Sequence, residues 1–298
     1  MERYLIINAD DFGMCRAQNA ATMELLLRGA VTSATIMAPC PHAAEAVAFA
    51  ARHPAFSVGV HLTTTSEWSD YRWGPIAEHV PSLTDTGGMF FHGCGDFACH
   101  AKLDEVEREL TAQIEWLMQR GLSPSHFDNH MGSLYGIGSG DFRLLFLAIS
   151  LASRYRVPFR FPAKFCPAML SNGMLDIHLP EQAVRSALAA FSAEAESKGV
   201  LTPDYLLPGD WEGEQDRSYE NYREYLFELY RSFDHGVTET YVHPAAECDE
   251  LKAITPAWHR RVWEYRLLRD PATADFIRSL GIRLIGYREL EQIRGGVQ

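Results

Sequence analysis

Short apolar, β-branched runs alternate with longer amphipathic stretches along the whole chain, and this alternation narrows the possible folds more than any other feature. It is the pattern of repeated β-α units around a parallel sheet. Strands are expected at residues 4–9, 33–38, 57–61, 126–129, 158–161, 204–207, 239–243 and 283–286, with helices between them. The clearest helix spans 103–120, where Val106, Leu110, Ile114, Leu117 and Met118 recur at helical spacing and Gly121 follows as a stop. Two more are expected at 180–197 and 219–233. No Pro/Ser/Gly-rich linker and no fixed period interrupts the pattern. Residues 1–298 therefore read as a single α/β domain, a closed or nearly closed TIM-like barrel of parallel strands with outer helices, with a doubly wound open sheet as the runner-up.

Two long segments, 63–101 and 208–217, resist a periodic reading and are expected as loop insertions at the barrel mouth. The first carries Trp68, Tyr71, Trp73, Phe90 and Phe91, and the second Gly209, Asp210 and Trp211. His92, Cys94, Cys99 and His100 match no common structural-zinc spacing and read as part of a mobile loop. The six cysteines include no C-x-x-C pair, the usual look of free thiols in a reducing compartment. A formal charge of −12 without a Lys/Arg-rich block argues against a nucleic-acid partner. The apolar run Tyr4-Leu5-Ile6-Ile7 is too short for a signal sequence and no segment is long enough to span a bilayer, so no membrane association is expected and the cytoplasm is the default compartment.

In parallel barrels the reactive groups sit at the carboxyl ends of strands. Four apolar runs here end in ligand-type residues: Asp10-Asp11, His61, His126-Phe127-Asp128-Asn129-His130, and His243. Adjacent aspartates point to opposite faces of a strand unless the strand ends there and turns, which Gly13 permits. One carboxylate is then free to bind a metal while its neighbour faces the water on it. The plainer reading is that one of them caps the helix beginning near Arg16. Period two puts His126, Asp128 and His130 on one strand face, with Asp128 suited to fixing a histidine tautomer or touching substrate. A lone strand-end histidine such as His61 is usually structural. The weight lies in four strand ends agreeing. The remaining histidines, His178 among them, lack a partner pattern and read as surface or structural.

These residues resemble the YdjC-like family, which includes chitooligosaccharide deacetylases and the deacetylases of hopanoid synthesis. The likeness runs in order through Leu5-Ile6-Ile7-Asn8-Ala9-Asp10-Asp11-Phe12-Gly13, Gln18-Asn19, Gly29-Ala30-Val31-Thr32-Ser33, Gly59-Val60-His61-Leu62-Thr63, Pro124-Ser125-His126-Phe127-Asp128-Asn129-His130-Met131 and Val242-His243-Pro244-Ala245. It implies a distorted β/α barrel that removes the acetyl group of an N-acetylated amino sugar or oligosaccharide with one divalent metal. Asp11, His61 and His130 would be the metal ligands, Asp10 the base and His243 the general acid. Arg160, in Pro158-Phe159-Arg160-Phe161-Pro162, would orient a catalytic carboxylate or contact substrate. His126 and Asp128 would support the ligands or substrate, while Trp68, Tyr135 and Trp211 would stack on sugar faces or simply pack. Mixed nitrogen and oxygen donors suit zinc and also manganese, cobalt or nickel, and the family adds magnesium. Met131-Gly132-Ser133-Leu134-Tyr135-Gly136 stands where the chitooligosaccharide enzymes carry a further histidine-rich stretch, so the sugar is left open. The rival readings are another metal-dependent barrel hydrolase, such as a phosphoesterase, and a non-catalytic sugar-binding barrel. A homodimer is the commonest assembly for such an enzyme.

Overall fold

The computed structural model describes residues 2–136, 141–177 and 179–295, so His178 lies outside the described residues. Seven strands form one parallel sheet: β1 (Arg3–Phe12), β2 (Ser33–Ile36), β3 (Ser57–Leu62), β4 (Phe127–Asn129), β5 (Tyr205–Leu206), β6 (Gly236–Val242) and β7 (Ile282–Leu284). The helices are α1 (Arg16–Arg28), α2 (Ala43–Arg52), α3 (Cys94–His100), α4 (Leu103–Met118), α5 (Arg143–Tyr155), α6 (Glu181–Ser197), α7 (Tyr219–Arg231), α8 (Asp249–Ile254), α9 (Trp258–Arg269), α10 (Pro271–Ser279) and α11 (Tyr287–Gly295). Strand order is β4-β3-β2-β1-β6-β5. β1 is central: β6 pairs along one edge, while β2 takes the upper half of the other edge and β7 the lower half.

The sheet closes through a segment that never becomes a regular strand. Phe159 bridges Phe127 in parallel, and its N–H donates to the Leu201 carbonyl at 2.9 Å, just ahead of β5. The strand expected at 158–161 is therefore reduced to a single bridge. Pro158 and Pro162 supply no N–H to a ladder, which is why pairing does not extend. The result is a distorted barrel rather than an open doubly wound sheet.

Strand alternation divides residues between the inside of the barrel and the helix-covered outside, and here the inside is polar. Leu5, Ile7 and Ala9 of β1, Val58, Val60 and Leu62 of β3, and Phe127 of β4 belong to the large outer core. The opposite faces carry Asn8 and Asp10, Thr35, His61, Asp128 and Glu239, all buried. Only the floor is apolar, where Ile6, Val237, Ile285, Tyr287 and Leu290 pack together and Tyr287, the first residue of α11, plugs the base.

The segment 63–101 is held down more firmly than its composition suggested. α4 buries the apolar stripe Val106, Leu110, Ile114 and Leu117, and beside it a polar one, Glu105, Glu109 and Gln113, one turn apart. Glu109 accepts the Ile76 and Ala77 N–H groups at 3.1 and 2.7 Å, Glu105 accepts that of Ser82 at 2.8 Å, and Gln113 exchanges two hydrogen bonds with the Thr63 backbone. Buried backbone polar groups that a loop cannot pair internally find partners on the helix. The residues expected to form a mobile loop, Cys94 to His100, form α3 instead; at 7 residues it is too short to show a helical period.

Gly59 on β3 faces inward, directly against β4. A Cβ there would lie 2.3 Å from the His126 carbonyl oxygen and 2.7 Å from its ring Nδ1. Gly59→Ala must push the two strands apart and is expected to destabilise the protein by about 2 kcal/mol or more. A urea melt checks this, and an unchanged midpoint would show that the barrel relaxes freely at this contact.

Candidate active site

At the carboxyl end of β1 the register slips between Ala9 and Phe12, and Asp11 adopts a left-handed conformation with φ 58°. The turn thus begins at Asp11 itself, ahead of Gly13. Asp tolerates this region better than most residues because its short polar side chain bonds locally. Both carboxylates consequently line the cavity at the barrel mouth. Neither caps α1: Cys15 does, its sulfur accepting the Gln18 N–H.

Asp10 is gripped bidentately by Arg160, with Nη1 and Nη2 each 2.7 Å from a carboxylate oxygen, and Asn8 Nδ2 donates to it at 2.8 Å. Burial alone would raise its pKa, but the guanidinium outweighs burial and holds the carboxyl at about 2. The same guanidinium reaches Asp128 at 2.8 Å and Glu239 at 2.7 Å. Asp128 in turn pairs with His61 Nδ1 at 2.7 Å and accepts the Thr35 hydroxyl at 2.8 Å. That leaves His61 Nε2 facing Asp11.

Asp11 Oδ2 accepts from Arg261 at 2.8 Å, whereas its Oδ1, fully buried, has no hydrogen-bond partner among the described residues. His61 Nε2 lies 3.5 Å and His130 Nδ1 3.3 Å from that oxygen. One donor atom each from Asp11, His61 and His130 falls within a 4.8 Å set. Asp10, His61 and Asp128 form a second such set, but their carboxylates are already taken up by Arg160, Asn8 and Thr35. The unpartnered oxygen singles out the first set as the one that fits a cation. Burial would lower both imidazole pKa values, yet Asp128 and Asp11 hold His61 up at about 10, and Glu67 and Asp11 hold His130 at about 9. Such a concentration of negative charge favours a positive occupant, and a divalent ion would displace those protons.

His243 completes the rim. Its imidazole lines the cavity and is pushed down to about 4 by burial, with Asp11 opposing, so it rests neutral. Its backbone N–H donates to Glu264 at 2.6 Å. Arg261 and Glu264 lie one turn apart on α9, so a single helix holds Asp11 by its carboxylate and His243 by its backbone. Tyr135 also lines the cavity, its hydroxyl donating to the Arg160 carbonyl at 2.9 Å.

Three expected members lie elsewhere. His126 shares a face with Asp128 and His130 but sits two residues, roughly 6–7 Å, deeper than Asp128; it stacks on Tyr287 at 3.7 Å and does not line the cavity. Trp211 stacks on Tyr222 at 3.9 Å and packs away from the cavity, and Trp68 packs on Trp73. Cys94, Cys99, His92 and His100 form no ligand cluster among the described residues. Cys94 donates to the Met131 carbonyl, and His100 stacks on Phe91. Conversely, sequence reading missed Arg261, Glu264, Glu239 and Glu67, the last bonded to His130 Nε2 at 2.9 Å. Glu239, a charge inside an apolar strand, was the one with a visible signal.

Fold and site together define a parallel β/α barrel with a buried histidine–aspartate cluster, able to hold a metal ion, at the carboxyl ends of its strands. The chain belongs to the YdjC-like protein family, whose model matches residues 4–279. It is 30% identical to a carbohydrate deacetylase of Geobacillus stearothermophilus over 98% of this chain and 100% of that one. Identity to a carbohydrate deacetylase of Brevibacillus brevis is 29%, over 96% and 99% of the two chains. A solved structure from Enterococcus faecalis V583, named for cellobiose-phosphate cleavage, superposes with a TM-score of 0.75 at 30% identity, covering 97% of this chain and 99% of that one.

Beneath the site, burial pushes the Glu239 carboxyl from 4.5 up to about 7, with Arg160 and Tyr287 holding it back. A raised carboxyl pKa means that the folded chain binds the extra proton between these values, so this residue's contribution to stability falls as pH rises from 4.5 to 7. Glu239→Gln keeps the shape and should flatten that decline, by an amount on the order of 3 kcal/mol at most. Urea melts at about pH 5 and pH 7.5 read the difference. A variant as pH-sensitive as the parent would mean that Glu239 stays ionised throughout.

Proposed function

We propose that the chain is a metal-dependent N-deacetylase of an amino sugar, with Asp11, His61 and His130 as the metal ligands, Asp10 as base and His243 as proton donor to the leaving amine. The observation that carries this is the unpartnered Asp11 Oδ1 facing two imidazole nitrogens, with an ionised, Arg160-held carboxylate on one side and a neutral imidazole on the other. The relatives named carbohydrate deacetylase, matched along almost the whole chain, support it.

A divalent ion bound there would supply Lewis acidity to the amide carbonyl and lower the pKa of an attacking water. Everything else is the work of the chain. Asp10 accepts the water's proton, and the bidentate grip of Arg160 fixes the carboxylate plane and keeps it ionised. A new carbon–oxygen bond forms and the carbon–nitrogen bond breaks. An amide anion leaves poorly, so the nitrogen must gain a proton before departure. His243 takes up a proton from solvent as negative charge develops beside it, delivers that proton to the nitrogen and is left neutral again, while Asp10 returns the proton it took to solvent. Acetate and the free amine depart. Asp128 holds His61 in one tautomer throughout.

The mixed donor set suits zinc, manganese, cobalt or nickel, with magnesium included from the family. The cysteines are all free, as a reducing compartment such as the cytoplasm would keep them. No helix among the described residues is long and apolar enough to cross a membrane.

Asp10→Asn should retain the bound metal mole for mole and lose acetate release from N-acetylated sugars by roughly a hundredfold or more, whereas Asp11→Asn should lose the metal itself. Elemental analysis paired with an acetate assay separates the two outcomes. Undiminished turnover in Asp10→Asn would remove it as the base.

A further inference from the structure

The cavity opening on Asp11, about 590 Å³, has two unlike halves, and the chemistry above uses only one. Tyr135, bonded to the Arg160 carbonyl, begins a chain of rings leading away from the polar half. Phe161 lies edge-on to Tyr135 at 5.7 Å, Phe191 edge-on to Phe161 at 5.3 Å, and Phe142 against Phe191 at 4.9 Å. Leu188 of α6, with Met169 and Leu175 of two short 3₁₀ turns, lines the same half. The Phe, Leu and Met side chains here could stack against a sugar's C–H face but bring no hydroxyl, amide or charge to its hydroxyls, which would lose water, whereas an alkyl or aryl group has no such loss.

The charges at the cavity discriminate further. Among the described lining residues Arg160 and Arg261 are the only arginines, there is no lysine, and both guanidiniums are ion-paired with carboxylates. Asp10, Asp11, Glu67 and Asp176 line the same space. A phosphate ester would meet these carboxylates and no unpaired arginine or lysine.

We propose that the substrate is an uncharged N-acetylamino sugar carrying an apolar substituent, an alkyl or aryl aglycone, seated among Phe161, Phe191 and Leu188 while the acetamido group lies at Asp11. This inference rests on the deacetylase reading, and its test separates the two. The metal-loaded protein is titrated calorimetrically and assayed for acetate release with the methyl and hexyl β-glycosides of N-acetylglucosamine and with N-acetylglucosamine 6-phosphate. The hexyl glycoside should bind tighter than the methyl glycoside by roughly tenfold or more, with the gain appearing in KM, and the phosphate should bind more weakly than either. Ala187→Trp, which fills the apolar half from α6, should bring the hexyl glycoside down to the level of the methyl glycoside. Equal affinity for the two glycosides, or a preference for the phosphate, would overturn the proposal. Tighter hexyl binding without acetate from any compound would uphold the apolar subsite and sink the deacetylase reading instead.

Discussion

One buried cation organises the interior. Arg160, 2% exposed, meets Asp10, Asp128 and Glu239 inside a barrel whose filling is polar. Three carboxylates in so dry a space would repel one another and take up protons, and one guanidinium at their centre offsets most of that penalty. Each carboxylate then passes the constraint on. Asp10 is fixed toward the cavity, Asp128 sets the His61 tautomer, and Glu239 accepts the Tyr287 hydroxyl from the floor plug. Site, wall and base of the barrel are thus tied to the same side chain. Arg rather than Lys suits this position, because its planar fork serves several carboxylates at once.

Much of this was legible in the sequence because it is local. Period-two alternation broken by Asp, His and Asp/His pairs marks strands that end at a mouth, and His126, Asp128 and His130 do share a face. Depth along the strand was not legible: His126 points inward yet sits at the level of the floor plug, since Gly59 leaves room for it there. Arg261 and Glu67 were invisible for a different reason. One lies on an outer helix with little amphipathic character and the other on an irregular segment, and only the tertiary fold brings them to Asp11 and His130. Prolines on both sides of Phe159 explain why a run that reads as a strand contributes one bridge.

Polar pairing also explains why the long segment over the mouth is ordered. A stripe of buried Glu and Gln on α4 pairs its backbone as a neighbouring strand would. This arrangement lets the chain between β3 and α4 present Glu67 and Cys94 to the cavity from fixed positions. The thiol of Cys94 stays protonated, pushed up to about 11 by burial.

The double hold exerted by α9 has a mechanical corollary. Because Arg261 and Glu264 project from successive turns of one rod, the carboxylate of Asp11 and the backbone of His243 are not independently adjustable. A slight roll of that rod would displace the Asp11 carboxylate and the His243 backbone in concert. Their spacing is thereby set by one element, and the outer surface of the barrel gains leverage over two sides of the cavity at once.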